Sequence, residues 1–261
     1  MPLFDFMYDL PDWAVFLVSV AEVGALCTCA LLLMRTLRRL WPERHGANLV
    51  TTMLSGILLP TGMVIAFVAA DVWQTDAKGR NAVEQEAIAV SDTLRVTRFF
   101  DPEIREPVLA DINNYIREVI DEEWPLMAHG QASERAENLL EELVVASVRI
   151  ETTTPDFGQR RAAQDLRRYV FEIERARNQR LIVSHQHVSI TKWFTVLMLL
   201  FVSACVMVEL HIAHKRPLYV SMGLFSLGFG ATLFLISAYD GPFKVQGNIE
   251  PSSLTMMLLK D

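Results

Sequence analysis

The most prominent pattern in the sequence is a contrast between long apolar stretches and a polar central region. Four stretches are almost free of charged residues, and charges are dense between the second and the third. A bilayer core about 30 Å thick needs roughly 20 consecutive apolar residues in a helix. All four stretches meet this requirement, so we predict transmembrane helices at residues 13–34, 49–70, 193–212 and 218–238.

The polar central region, residues 72–192, is predicted to be a helical extramembrane domain. Its apolar residues recur at helical spacing, and a strand-like alternation of useful length does not occur. The second span should continue into a stalk helix, because Val83, Ala87, Val90 and Leu94 share one helical face. Later helices should begin at start signals, which are Asp101-Pro102-Glu103, Ser133 and Thr154-Pro155-Asp156.

These elements predict an all-α integral membrane protein with the helical domain between transmembrane helices 2 and 3. Residues 1–71 form an N-terminal transmembrane hairpin, and residues 72–192 form the helical domain. Residues 193–239 form a C-terminal transmembrane hairpin, and residues 240–261 form a tail.

The distribution of positive charge predicts how the chain is oriented. Lys and Arg collect in short cytoplasmic loops. The first short connection contains Arg35, Arg38, Arg39 and Arg44, and the other contains Lys215 and Arg216. Both connections should therefore be cytoplasmic, with both termini and the helical domain extracytoplasmic in a bacterial inner (plasma) membrane.

Composition and motifs exclude several other functions. The net charge of −7 argues against nucleic-acid binding. The three cysteines lie inside predicted spans, and the polar region has neither a phosphate-binding glycine loop nor a metalloprotease or nucleophile motif. We expect no enzyme activity and no cofactor.

An acidic residue inside the first span is the main candidate for a permeation pathway. Glu22 lies near the middle of that span, where a charged side chain costs about 2.5–3.5 kcal/mol on insertion scales. Ser19 shares its face, and Ser55 and Pro60 of the second span complete the pathway candidates. The alternative for Glu22 is a protonated carboxyl that is hydrogen-bonded to a neighbouring helix.

Small residues at four-residue spacing predict close helix packing in two spans. Gly62, Ala66 and Ala70 form such a face in the second span, and Ser226 and Gly230 form one in the fourth. Each face is compatible with packing within the chain and with contact between copies of the chain. We predict a homo-oligomer that is held partly by the Gly62, Ala66, Ala70 face.

Two further groups of polar residues have alternative interpretations. His211 and His214 lie on one helical face, but two ligands are fewer than a zinc site needs, so we expect interfacial residues and no metal site. The residues Glu122, Glu123, Arg175, Arg177 and Arg180 could form an ion-pair network between two domain helices. The other interpretation of these arginines is a basic ring that lines an anion vestibule.

Several short motifs together resemble one protein family. They are Glu122-Glu123-Trp124-Pro125 with Tyr115 and Arg117 upstream, then Arg175, Arg177 and Arg180-Leu181, then Asp240-Gly241-Pro242-Phe243, Gly247 and the run from Pro251 to Leu254, together with Arg44-His45. With the order of two spans, helical domain and two spans, they resemble the bestrophin-like domain family of bacterial four-helix membrane proteins. The resemblance implies a relation to bestrophin anion channels, which are pentameric pores with a cytoplasmic helical domain, an orientation opposite to that predicted from charge.

Two functions follow from these observations. The leading hypothesis is an oligomeric bestrophin-like membrane protein that forms an ion channel or another permeation pathway for small ions. The alternative is a non-conducting envelope sensor or scaffold whose extracytoplasmic helical domain binds a partner. In both cases the lipid bilayer is a partner.

Overall fold

The computed structural model describes residues 10–40, 47–153, 157–243 and 249–258. Within these ranges the chain is helical and contains no β-strand, which confirms the predicted all-α class. The α-helices in chain order are α1 (Asp12–Leu40), α2 (Ala47–Val96), α3 (Pro102–Glu118), α4 (Trp124–Met127), α5 (Glu134–Thr153), α6 (Phe157–Ser184), α7 (Ile190–His211), α8 (Lys215–Tyr239) and α9 (Ser252–Thr255).

The chain divides into two compact units. The first, which we call the span unit, contains residues 1–74 and 187–240. The second, which we call the polar unit, contains residues 75–186 and 241–261. The long helix α2 contributes residues to both units.

In the part of the chain that the structure describes, four helices are long and apolar enough to cross a membrane, which confirms the four predicted spans as apolar helices. They are α1, the segment Ser55–Phe99, which comprises α2 from Ser55 onward and the 3₁₀ turn after it, α7 and α8. The predicted stalk is confirmed as well, because α2 runs without interruption to Val96. Pro60 lies inside this helix.

Helices α1 and α8 of the span unit pack against each other in antiparallel directions. The rings of Phe16 and Phe234 meet edge to face with centroids 5.6 Å apart. One turn further along α1, a Cβ atom added to Gly230 would lie 2.6 Å from the Cα atom of Val20. Glycine is required there because any larger residue would collide with the backbone of α1.

The interior of the span unit is filled by apolar side chains with few polar groups among them. Val23, Leu200 and Ile236 are completely buried in this core. The hydroxyl groups of Thr61 on α2 and Ser203 on α7 are 3.1 Å apart and form a buried hydrogen bond.

The polar unit is built around α3, α5, α6 and the C-terminal part of α2. Its core contains Val90, Ile112, Leu143 and Ile173, each at most 1% exposed. The described part of the segment 240–261 adds further core side chains, which are Phe243, Ile249 and Leu254.

Two of the predicted helix starts in the polar unit are confirmed. Asp101 is the N-cap of α3, with Pro102 as its first helical residue. The hydroxyl oxygen of Ser133 accepts a hydrogen bond from the backbone N–H of Ala136 at the start of α5. The predicted start at Thr154-Pro155-Asp156 lies outside the described residues.

Candidate functional site

Three of the motif residues meet in the interior of the polar unit. Arg180 of α6 donates to Glu123 over 2.9 Å, and Arg177, one turn earlier on the same face, donates to Glu123 as well. The side chains of Arg177, Arg180 and Glu123 are at most 4% exposed. These contacts agree with the ion-pair interpretation for the three residues.

The fourth charge of this network was not predicted from the sequence. Glu86 of α2 is completely buried and accepts hydrogen bonds from Arg180 over 2.6 and 3.0 Å. It also accepts a hydrogen bond of 2.6 Å from the hydroxyl group of Tyr115. A signal was present, because Glu86 shares the apolar face that Val83 and Val90 predict, and an acid on such a face needs a buried partner.

A π-helical turn between α3 and α4 places Glu123 in this network. The turn covers Val119–Glu123 and ends directly before Trp124. Such turns add a residue to the helical period and are frequent at functional sites. Glu123 is therefore buried, whereas the neighbouring Glu122 is exposed.

The network shifts the pKa values of Glu123 and Tyr115 in opposite directions. Burial alone would raise the pKa of Glu123, but hydrogen bonds and positive charge from Arg177 and Arg180 outweigh burial and lower it. Burial and the charge of Glu86 raise the pKa of Tyr115 well above its ordinary value, so the phenol remains a hydrogen-bond donor. The positive charges of two arginines, Arg177 and Arg180, therefore balance the negative charges of Glu86 and Glu123 inside a protein core.

Two of the motifs are joined by an aromatic contact. The ring of Trp124 meets the ring of Phe243 edge to face, with centroids 5.6 Å apart. The guanidinium of Arg180 lies 5.3 Å from the centroid of the Trp124 ring. Trp124 of the first motif thus contacts both Phe243 of the second motif and the guanidinium of Arg180.

The remaining motif residues lie elsewhere. Pro125 and Arg175 are exposed, and Arg175 borders an open groove together with Lys78 and Gln179. Pro242 is buried next to Gly241, which has a φ of 82° and so occupies a conformation that favours glycine.

Asp240 belongs to the span unit and is 6% exposed. Its carboxylate accepts a hydrogen bond of 3.0 Å from the backbone N–H of Val188. The acid therefore ties the end of α8 to the turn that precedes α7.

The four pathway candidates have different environments in the protomer. Ser19 is completely buried and Glu22 is half-buried, both on α1. Ser55 and Pro60 are exposed on α2. Their role in a pathway stays a prediction.

The two predicted small-residue faces also differ. Ser226 and Gly230 of α8 contact α1, where the Ser226 hydroxyl lies 3.8 Å from the Cys27 sulfur. Gly62, Ala66 and Ala70 of α2 are exposed, and a Cβ atom added to Gly62 would meet no atom within 4 Å. The first face packs within the chain, and the second is free in the protomer.

The predicted interfacial histidines lie at the start of the connection between α7 and α8. A ring nitrogen of His211 is 3.0 Å from the carbonyl oxygen of Met207. The nearby Glu209 pairs with Arg38 over 2.7 Å. His214 is the exposed N-cap of α8. Among the residues that the structure describes, no group of three or more potential metal ligands occurs.

Comparison with solved structures shows which fold this arrangement represents. A bacterial bestrophin homolog from Klebsiella pneumoniae, solved as a mutant, is 11% identical, has a TM-score of 0.64, and aligns over 94% of this chain and 99% of its own. A second mutant of a homolog from the same organism is 12% identical, with a TM-score of 0.65 and coverages of 93% and 97%. A crystal structure described as that of a membrane protein is 12% identical, with a TM-score of 0.67 and coverages of 93% and 96%.

Sequence comparison identifies the family. No curated protein matches this chain. The model of the bestrophin-like domain, in contrast, matches residues 23–254, which include all four apolar helices except the start of the first. The predicted resemblance is confirmed, and this chain belongs to the bestrophin-like family.

Proposed function

We propose that this protein forms a homo-oligomeric membrane channel in which small ions pass between protomers. Membership of the bestrophin-like family supports a channel-type membrane protein. The observation that carries the proposal is the filled interior of the span unit, where Val23, Leu200 and Ile236 are completely buried. Ions cannot cross an interior that is packed with apolar side chains, so a path through this protein has to lie between copies of the chain.

The free face of α2 supports contact between protomers. Small residues allow helix backbones to approach closely, and membrane helices associate through such faces. Gly62, Ala66 and Ala70 have this pattern and are exposed in the protomer. Ser55 is exposed seven residues before Gly62 and therefore on the same side of α2, so an assembly through this face would bring Ser55 to the interface, whereas Pro60 faces another side of the helix.

Glu22 is the candidate that gives the path its chemical character. Its side chain is half-buried, so part of it reaches the surface of the protomer. An ionisable residue within a span generally faces a bundle interior or a water-filled cavity. In the proposed assembly Glu22 faces the path, where its charge acts on passing ions.

Ion flux in proteoliposomes tests this function. Wild type should conduct, and Glu22→Gln, which removes the ionisable proton but keeps the shape, should change the flux or its dependence on pH while assembly stays intact. Glu137→Gln makes the same chemical change on the exposed face of α5 and should behave as wild type.

Two other results of the flux measurement would change the proposal. Flux that is indifferent to Glu22→Gln would keep the channel and remove Glu22 from its path. If no ion passes faster than through empty liposomes at any pH, the proposed channel function is wrong. The non-conducting sensor or scaffold, whose helical domain binds a partner, would then be the better function.

The proposed topology places the helical region 72–192 outside the membrane, on the extracytoplasmic side with both termini. Arg35, Arg38 and Arg39 on one connection and Lys215 and Arg216 on the other support this orientation. A single cysteine at the exposed position Gln164, introduced without the native cysteines, should react with an impermeant thiol reagent in cells with a permeabilised outer envelope. Reaction only after the inner membrane is opened would establish the opposite orientation.

A further inference from the structure

One end of the α1–α8 pair carries an exposed group of basic side chains. Arg35 and Arg39 lie in the last turns of α1, and Lys215 and Arg216 form the first turn of α8. All four residues are exposed. We call this group the basic end.

The packing of the two helices brings these residues to the same level. A Cβ atom added to Gly24 of α1 would lie 3.7 Å from the hydroxyl oxygen of Ser226 on α8. Arg35 lies about three helical turns beyond Gly24, and Lys215 lies about three turns before Ser226. Because the helices are antiparallel, both side chains reach the same end of the pair.

The basic end differs from the neighbouring Arg38. Arg38 forms an ion pair of 2.7 Å with Glu209 on α7. Among the residues that the structure describes, Arg35, Arg39, Lys215 and Arg216 form no such pair. Four positive charges are therefore available to an external anion.

The start of α8 adds backbone donors to these side chains. Its N-cap residue His214 makes no side-chain capping hydrogen bond, and the first turn contains no acid. The N–H groups of a free helix N-terminus attract anions, phosphates in particular.

Exposed apolar side chains continue directly from the basic end toward the middle of the spans. On α8 they are Tyr219 (57% exposed), Val220 (61%) and Leu224 (67%), and on α1 Leu32 is 58% exposed. Tyrosine favours the level of the lipid headgroups, and the aliphatic residues favour acyl chains. This continuity distinguishes a bound lipid from a free anion in water.

We propose that the basic end binds the phosphate headgroup of an anionic diacyl phospholipid, whose acyl chains lie along the exposed sides of α1 and α8. Clusters of four or more Lys and Arg residues next to membrane helices attract anionic lipids. The inference requires that the chain crosses a membrane, but it does not depend on ion conduction.

Native mass spectrometry of the delipidated full-length protein in mild detergent tests this site. Phosphatidylglycerol should bind more tightly than phosphatidylcholine with the same acyl chains. Lys215→Gln/Arg216→Gln should weaken binding of phosphatidylglycerol roughly tenfold or more and leave binding of phosphatidylcholine unchanged. Arg35→Gln/Arg39→Gln should have the same effect from the other helix.

The matched control is Lys78→Gln/Arg98→Gln, which removes two exposed charges from the polar unit and should retain the affinity of wild type. Equal binding of the two lipids to wild type would overturn the proposal, and so would equal losses in the control and the basic-end variants. If inorganic phosphate displaces the lipid at a concentration near the dissociation constant of the lipid, the acyl chains contribute nothing and a lipid site is wrong. Helix content and thermal midpoint, measured on every variant, separate lost binding from lost folding.

Discussion

The span unit and the polar unit differ in how their interiors are packed: the polar unit buries paired charges, and the span unit does not rely on them. At the centre of the polar unit, Arg180 lies between Glu86 and Glu123 without exposure to solvent. In the span unit Gly230 lies directly against the backbone of Val20, and a buried polar contact joins two neutral hydroxyl groups, those of Thr61 and Ser203.

The difference shows what each environment permits. Charges buried in a protein core are tolerated when they are paired and fully hydrogen-bonded, as the four side chains of the polar unit are. In a membrane the surroundings provide no hydrophobic driving force between helices, so close packing of small residues replaces it. The span unit accordingly has charged pairs near the ends of its apolar stretches, such as Arg38 with Glu209 and Lys192 with Asp71.

The largest effect should come from breaking the charge balance of the polar unit. Arg180→Met keeps the volume of the side chain but leaves Glu86 buried without its cation, so we expect a loss of about 3–5 kcal/mol in the free energy of unfolding. Arg38→Met is the matched control, because its pair is half exposed on the arginine side and should contribute about 0–1 kcal/mol.

Denaturant unfolding of the purified protein in mild detergent, followed by circular dichroism, measures both variants. If Arg180→Met unfolds together with Arg38→Met, the buried network does not stabilise the polar unit. The two units would then differ in which side chains they bury but not in how buried charges contribute to stability.

A smaller effect should follow from overfilling the contact between Gly230 and α1 in the span unit. Gly230→Leu pushes a side chain against the α1 backbone at Val20, and extra volume in a packed interior costs about 1–3 kcal/mol. Gly228→Leu on the same helix is the control, because a Cβ atom added there would meet no atom within 4 Å. Thermal unfolding in detergent should show a lower midpoint for Gly230→Leu alone, and equal midpoints would mean that α1 and α8 separate without cost.

Much of the fold could be predicted because local patterns determine it. Run length identified the four apolar helices, and helical spacing from Val83 to Leu94 predicted the continuation of α2. The starts at Asp101 and Ser133 depend on capping chemistry that a few adjacent residues specify.

The candidate site was predicted less completely, because its geometry depends on contacts that are distant in sequence. Glu123 contacts Arg177 and Arg180, but the π-helical turn that buries Glu123 has no simple sequence signal. Glu86 lies 94 residues from Arg180, and no local pattern connects them. Periodicity also shows which residues share a face without showing which neighbour covers it, so it could not separate the small-residue face of α8 from that of α2.

The smallest effect on the protomer should come from the second small-residue face of the span unit. Gly62→Leu places a side chain where the structure leaves open space, so the helix content of the protomer should stay within error of wild type. If protomers meet through Gly62, Ala66 and Ala70, the same side chain separates their backbones and the oligomer dissociates, because close approach is what the small residues permit.

Native mass spectrometry in mild detergent measures the oligomeric state of Gly62→Leu directly. Gly56→Leu makes the same change on α2, about 120° from Gly62 around the helix, and should leave the oligomer intact. A monomeric wild type would contradict the proposed assembly, and an intact oligomer in Gly62→Leu would place the interface on another helix. A loss of helix content in Gly62→Leu would mean that its side chain disturbs the protomer itself, as that of Gly230→Leu is expected to do.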